Sequence, residues 1–164
     1  MTKQVSLLLF VFLFICSAMA FAQGKKAPSG QFALGLYVQS PTGLDAPGGI
    51  SLTYAATPEM QVGSYLGLLV LSGGGSSSTT FELEPYVRYL FYGSVKPFVQ
   101  ADLLILSLGG GTNVGLGFGG GLAYAISPAF SINFDMSLLG VAFTNGGGIE
   151  FGFSNVKAGG EWFF

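Results

Sequence analysis

Apolar and polar side chains alternate along most of the chain, and a period of two marks a strand whose two faces meet different surroundings. The first such segment spans 31–40, with Phe32, Leu34, Leu36 and Val38 on one face and Ala33, Gly35, Tyr37 and Gln39 on the other. Ile50, Leu52 and Tyr54 mark a second over 49–57, and Leu66, Leu68 and Val70 a weaker third over 60–71. A fourth, 80–92, sets Phe81, Leu83, Val87, Tyr89 and Phe91 against Glu82, Glu84, Tyr86, Arg88 and Leu90. Pro85 falls on its apolar face, and because proline cannot donate to a ladder it predicts a local irregularity. The fifth, 96–106, opposes Val99, Ala101, Leu103 and Ile105 to Gln100 and Asp102. In the sixth, 113–126, Val114, Leu116, Phe118, Leu122, Tyr124 and Ile126 alternate with Gly115, Gly117, Gly119, Gly121 and Ala123. The seventh, 129–138, alternates Phe130, Ile132, Phe134, Met136 and Leu138 with Ser131, Asn133, Asp135 and Ser137. The eighth runs to Phe164, with Val156, Ala158, Trp162 and Phe164 on one face. Upstream, Ile149, Phe151 and Phe153 have the opposite parity, so a bulge is expected near Ser154.

The connections alternate too. Pro41–Gly48, Ser72–Ser78, Ser107–Thr112 and Gly140–Gly148 are long and rich in Gly, Ser or Asn, whereas Thr57–Glu59, Gly93–Val95 and Ser127-Pro128 are short turns. The fold class this predicts is all-β: an eight-stranded, antiparallel, up-and-down barrel. Each strand is near the roughly 9–11 residues that cross a bilayer. Periodicity alone does not say which face points outward, since a soluble ligand-binding barrel alternates as well. Composition does. Of 164 residues only 9% are charged, 50% are hydrophobic and 27 are glycine, whereas a soluble domain is about 25% charged. A polar exterior built largely of Gly115, Gly117, Gly119 and Gly121 would be a poor solvated surface. A lipid-facing apolar stripe around an interior of small residues fits every strand, and a closed barrel leaves no unpaired edge in lipid.

Residues 1–22 read as a secretory signal. Lys3 is followed by the apolar run from Leu7 to Ile15 and by small residues ending in Ala20-Phe21-Ala22, with cleavage after Ala22 or Ala20. The apolar run is short for a retained anchor, and Ile15 before Cys16 departs from the small residue that lipid attachment wants. Residues 23–30 form a short segment ahead of the barrel at 31–164. Without residues 1–22 the chain keeps five bases against eight acids and has no cysteine or histidine. That excludes a disulfide framework and thiolate chemistry, disfavours zinc, and offers nucleic acid no basic patch. No cofactor is expected.

Phe32, Tyr54, Phe91, Tyr124, Phe130, Trp162 and Phe164 gather near the strand ends served by the short turns, where an interfacial aromatic girdle belongs. Together with Glu84-Pro85-Tyr86-Val87-Arg88-Tyr89-Leu90-Phe91, Lys96-Pro97-Phe98-Val99, the stretch Gly119–Pro128 and the closing Asn155-Val156-Lys157 and Trp162-Phe163-Phe164, they make residues 30–164 resemble the small eight-stranded outer-membrane β-barrels of Gram-negative bacteria, the outer membrane protein beta-barrel domain family. The resemblance implies an outer-membrane location, lipid as the main partner, a monomer, and biogenesis through the barrel assembly machinery, which reads a C-terminal aromatic such as Phe164. It implies nothing about activity.

The charges assigned to the lumen are Glu82, Glu84, Arg88, Asp102, Asp135, Lys157 and Glu161. Eight-stranded barrels have interiors that side chains just fill, and buried charges require partners. Ion-pair ladders between neighbouring strands are therefore expected, with Arg88 near Asp102 and Asp135 near Lys157. Glu82 and Glu84 have the i, i+2 spacing of a carboxylate pair, yet a filled barrel offers a sugar no cleft. Gly115-Leu116-Gly117-Phe118-Gly119-Gly120 matches the dinucleotide pattern only formally, because it is itself a strand. Ser76-Ser77-Ser78-Thr79-Thr80 reads as a solvated loop tip and Asn145-Gly146 as a turn. The expected function is non-enzymatic, a structural, scaffold or surface-interaction role in the envelope. A narrow cation-preferring pore, suggested by the glycine-lined sixth strand, and an accessory subunit of a secretion or assembly complex are the alternatives.

Overall fold

The computed structural model describes residues 29–40, 48–73, 76–108, 111–143, 148–152 and 156–164. The strands are β1 (Gln31–Ser40), β2 (Gly49–Ala55), β3 (Met60–Gly73), β4 (Ser76–Leu90), β5 (Val95–Leu108), β6 (Gly111–Ser127), β7 (Phe130–Phe143), β8 (Ile149–Gly152) and β9 (Val156–Phe163). β8 and β9 are two segments of one stave, both antiparallel to β7. Consecutive strands pair antiparallel around the sheet, and β1 closes it against β9 from Ala33↔Phe163 to Ser40↔Val156. The result is a closed antiparallel barrel of eight staves with no free edge.

Side-chain alternation decides inside and outside in the same sense on every stave. Leu36 is 71% exposed while its neighbour Tyr37 is 5% exposed. Leu34, Leu52, Leu68, Val87, Leu116, Phe134 and Trp162 all face outward, and Ser51, Thr53, Gln61, Glu82, Arg88, Asn133 and Lys157 are buried inside. This is the inside-out arrangement of a transmembrane β-barrel, in which polar groups fill the interior and apolar ones contact lipid.

Several strands extend beyond the segments that alternation marks. β4 begins at Ser76, so Ser76–Thr80 belongs to a strand rather than a loop tip: Gly73 pairs with Ser76 and Leu69 with Thr80. Likewise Leu108 pairs with Gly111, and β7 runs to Phe143. Polar and glycine-rich composition suggested loops, but once a ladder exists each added pair satisfies backbone donors and acceptors whatever the side chains. β2 conversely stops at Ala55, where Thr57 Oγ1 accepts from the backbone N–H groups of Glu59 and Met60 and shapes the turn.

Two irregularities follow from the sequence. β4 pairs with β5 from Thr80↔Leu108 to Leu83↔Ile105 and resumes at Tyr86↔Asp102 without a change of register, leaving a break at Glu84 and Pro85 where the proline lacks a donor. In β7, Phe118 pairs with Leu139 and Gly119 with Ser137, so Leu138 is an extra residue. Beyond it the outward positions pass to Leu139 and Phe143, which continue across to Ile149 and Phe151 on β8. The alternation predicts Leu138 on the lipid face; the bulge gives that position to Leu139. The bulge expected near Ser154 lies outside the described residues, and the same change of parity is seen on β7.

Candidate functional site in the barrel lumen

A stack of tyrosines and the cations Arg88 and Lys157 occupy the lumen, and Lys96 is a third buried cation toward the short-turn end. Tyr37 from β1, Tyr65 from β3 and Tyr86 from β4 lie ring against ring, each neighbouring pair 4.8 Å between centroids. Room for inward rings comes from glycines on the neighbouring strands, Gly63 opposite Tyr86 and Gly121 opposite Phe98. A Cβ added to Gly63 would come within 2.6 Å of the Tyr86 ring and hydroxyl, and one added to Gly121 within 2.6 Å of the Phe98 ring. The glycine face of β6 is therefore a recess that receives Phe98 and Asp102, the latter lying over Gly117. The glycines that suggested a gap are filled from β5.

Arg88 is fully buried at the centre. Its guanidinium lies 4.2 Å from the Phe98 centroid and 4.9 Å from that of Tyr86, the geometry of a cation held by ring faces. Nε donates to Gln100 Oε1 at 3.2 Å, Nη1 to Gln61 Oε1 at 3.4 Å and Nη2 to the Tyr65 hydroxyl at 2.7 Å. Tyr65 in turn donates to Asp135 Oδ2 at 2.7 Å. Arg88 also forms ion pairs with Asp135 at 3.5 Å and Glu161 at 3.9 Å. Thr53 donates to Glu161 Oε1 at 2.8 Å and its hydroxyl lies 2.5 Å from that of Tyr86. Lys157 forms a second centre: Nζ contacts Glu84, lies 3.8 Å from Glu82, and sits 4.4 Å from the Tyr65 centroid.

These pairings differ from the expected ones. The ladder does set Asp135 opposite Lys157, but their charged groups diverge, Asp135 to Arg88 and Lys157 to Glu84 and Glu82. Arg88 lies opposite Gln100 on β5 and bonds to it, while Asp102 lies opposite Tyr86. The ion pairs run mostly across the lumen. β4 and β9 are four staves apart in either direction around the sheet, so Arg88–Glu161 and Lys157–Glu84 join opposite walls. Long side chains in a narrow barrel reach the facing wall more readily than they fold back along their own. The tyrosine stack carried no separate signal in the sequence, since each Tyr was one inward residue among many.

The aromatics at the short-turn end face outward. Trp162 is 59% exposed, and Phe32 packs on Tyr54 at 4.8 Å and Phe130 on Trp162 at 5.7 Å. Tyr124 and Phe164 are exposed and Phe91 is half-buried, and Phe164 N–H donates to the Phe32 carbonyl at 2.9 Å. Tyr89 and Tyr92, which alternation did not single out for this band, are exposed near the same end. In the β4–β5 turn the Tyr92 hydroxyl donates to Glu59, and that hydrogen bond together with the nearby carboxylate pushes the phenol up from its ordinary value.

The fold and lumen define a small transmembrane β-barrel with a filled interior. Comparison with solved structures finds similar folds. The crystal structure of the N-terminal β-barrel domain of OprF from Pseudomonas aeruginosa superposes with a TM-score of 0.57 at 15% identity, covering 83% of this chain and 98% of that one. Neisserial surface protein A matches at 19% identity and TM-score 0.47, over 82% of this chain and 95% of that one. The solution structure of the E. coli outer membrane protein W matches at 15% identity and TM-score 0.47, over 83% and 98%. No protein-family model and no curated protein sequence matches the chain. The chain has the fold of the small eight-stranded outer-membrane β-barrels, and at these identities the likeness concerns the fold alone.

Proposed function

We propose that the chain is a non-enzymatic integral outer-membrane protein with a structural, scaffold or surface-interaction role in the cell envelope, exported by the signal at residues 1–22 and acting as a monomer in lipid. The observation that carries this reading is the lumen. Among the described residues, three stacked tyrosines and two cations paired with the opposite wall occupy the lumen, and the void beside Tyr37 and Lys157 is about 10 Å³, close to the smallest space that holds one water. Arg88, Lys157 and the tyrosines stand across the lumen, held by Asp135, Glu161 and Glu84, which supports a filled interior over a solute path. The protein reconstituted in planar bilayers is expected to show no steady conductance steps. Regular cation-selective steps from the unmodified protein would overturn the reading in favour of a narrow pore.

The lipid-facing girdle is tested separately. The chain has a single tryptophan, Trp162, at the short-turn end of β9. In vesicles its fluorescence is expected to be quenched more strongly by lipids brominated near the headgroup than by lipids brominated at the chain ends. Equal quenching, or none, would remove Trp162 from an interfacial band.

A further inference from the structure

We propose that the long-loop half of the lumen holds a proton-binding site, in which Glu82 and Glu84 share one proton between their carboxyl groups. The two side chains stand at i and i+2 on β4 and both point inward, 0% and 2% exposed. Neither oxygen of Glu82 meets a hydrogen-bond donor among the described residues, although a buried carboxylate without hydrogen bonds is costly. The group within hydrogen-bond reach of it is the Glu84 carboxyl. Ionised carboxylates accept and do not donate, so two of them side by side in a buried interior repel. With one proton the same contact becomes a hydrogen bond from a hydroxyl to a charged oxygen, which is among the stronger ones in proteins.

The charges around the pair decide which carboxyl keeps the proton. Lys157 from β9 contacts Glu84 and stands 3.8 Å from Glu82. Its charge therefore falls mainly on Glu84, which stays ionised, and the proton rests on Glu82. One ammonium serves two carboxyls here, and the neighbouring strands add more acid. Asp102 on β5 acts on both glutamates as a further negative charge. Tyr37 on β1, whose buried hydroxyl also lacks a partner, and Tyr65 on β3 bring phenols to the same Lys157. Arg88 is engaged with Asp135 on β7 and Glu161 on β9. The inward residues of β2 and β6, such as Thr53 and Gly117, do not titrate. Among the described residues no three acidic side chains converge as a metal site requires, and the cation that fits between two adjoining carboxyls is a proton.

The test is infrared spectroscopy of the full chain refolded in vesicles in deuterated buffer at neutral pH. The parent is expected to show the carbonyl stretch of a protonated carboxyl, and that band should lose intensity in Glu82→Gln. Glutamine keeps a donor facing Glu84, so this variant should fold, which heat-dependent mobility on SDS gels checks. Glu84→Gln should lose the band as well, because a lone Glu82 beside Lys157 ionises, and it keeps the comparison open if Glu82→Gln fails to fold. Urea unfolding supplies a second readout. The unfolded chain releases a glutamate proton above about pH 4.3, whereas the folded barrel retains it, so the parent loses stability relative to Glu82→Gln as pH rises. The urea midpoint of Glu82→Gln should therefore gain on that of the parent between about pH 5 and pH 8. A parent spectrum of ionised carboxylates alone, a band that survives both substitutions, or a midpoint difference that does not change with pH would overturn the proposal. Ionised carboxylates together with a parent midpoint that rises with sodium at constant ionic strength would assign the pair to an alkali cation instead.

Discussion

Arg88→Met is expected to destabilise the barrel by about 3–5 kcal/mol, because removing one partner of a buried ion pair leaves uncompensated charge. The guanidinium satisfies Gln100, Gln61 and Tyr65 and pairs with Asp135 and Glu161. The lost hydrogen bonds and ring contacts would each be worth about 1–2 kcal/mol. The larger share comes from two carboxylates stranded in a space that admits little water. Urea unfolding from lipid vesicles measures the loss. The cause is isolated by adding Asp135→Asn and Glu161→Gln to Arg88→Met, which should recover most of the stability by neutralising the stranded charges. A single variant as stable as the parent would mean that the lumen is wetter than its packing implies. A triple variant no better than the single would shift the weight onto the tyrosine stack.

Gly121→Val is expected to cost about 3 kcal/mol or to prevent refolding altogether, at or beyond the usual range for overpacking. The added Cβ would collide with the Phe134 carbonyl and come within 2.6 Å of the Phe98 ring and 2.7 Å of the Asp135 Cα. Phe98 could turn aside only by leaving Arg88, and the backbone of β7 could move only by breaking the β6–β7 ladder. Gly152→Val supplies the comparison, since nothing lies within 4 Å of a Cβ there; surface changes of that kind stay within about 0.5 kcal/mol. Equal stability of the two variants would show that the recess opposite Phe98 is not the tight fit described.

The strands and their inward and outward faces were legible in the sequence because lipid and lumen impose opposite demands on alternate residues. Leu34 beside Ala33, and Val87 beside Arg88, state the answer twice on each strand. Strand ends were less legible: Ser76–Thr80 looks like a loop because composition is a weak guide once backbone pairing extends past the lipid. The bulge was half legible. The parity of Ile149 and Phe151 required a shift on the last stave, but nothing in the local sequence placed Leu138 as an extra residue on β7. The pattern set Glu82, Glu84, Arg88, Asp135, Lys157 and Glu161 on the inward face, where they are buried, but it left out Lys96, and it did not show which charge meets which. Strand adjacency proposes neighbours, whereas Arg88 and Lys157 are long enough to cross a narrow interior, so who meets whom is set by the circumference of the sheet.

That cross-lumen pairing has a consequence for how the barrel comes into being. Glu82, Glu84 and Arg88 enter on β4, and Glu161 and Lys157 arrive only with β9, the segment that also seals the sheet against β1. A partly formed sheet of the first several strands would carry its acids and its arginine without most of their counter-charges. Such an intermediate is poorly suited to hydrocarbon. Asp135 on β7 can meet Arg88 before closure, but full neutralisation waits for β9, which favours insertion of the finished cylinder.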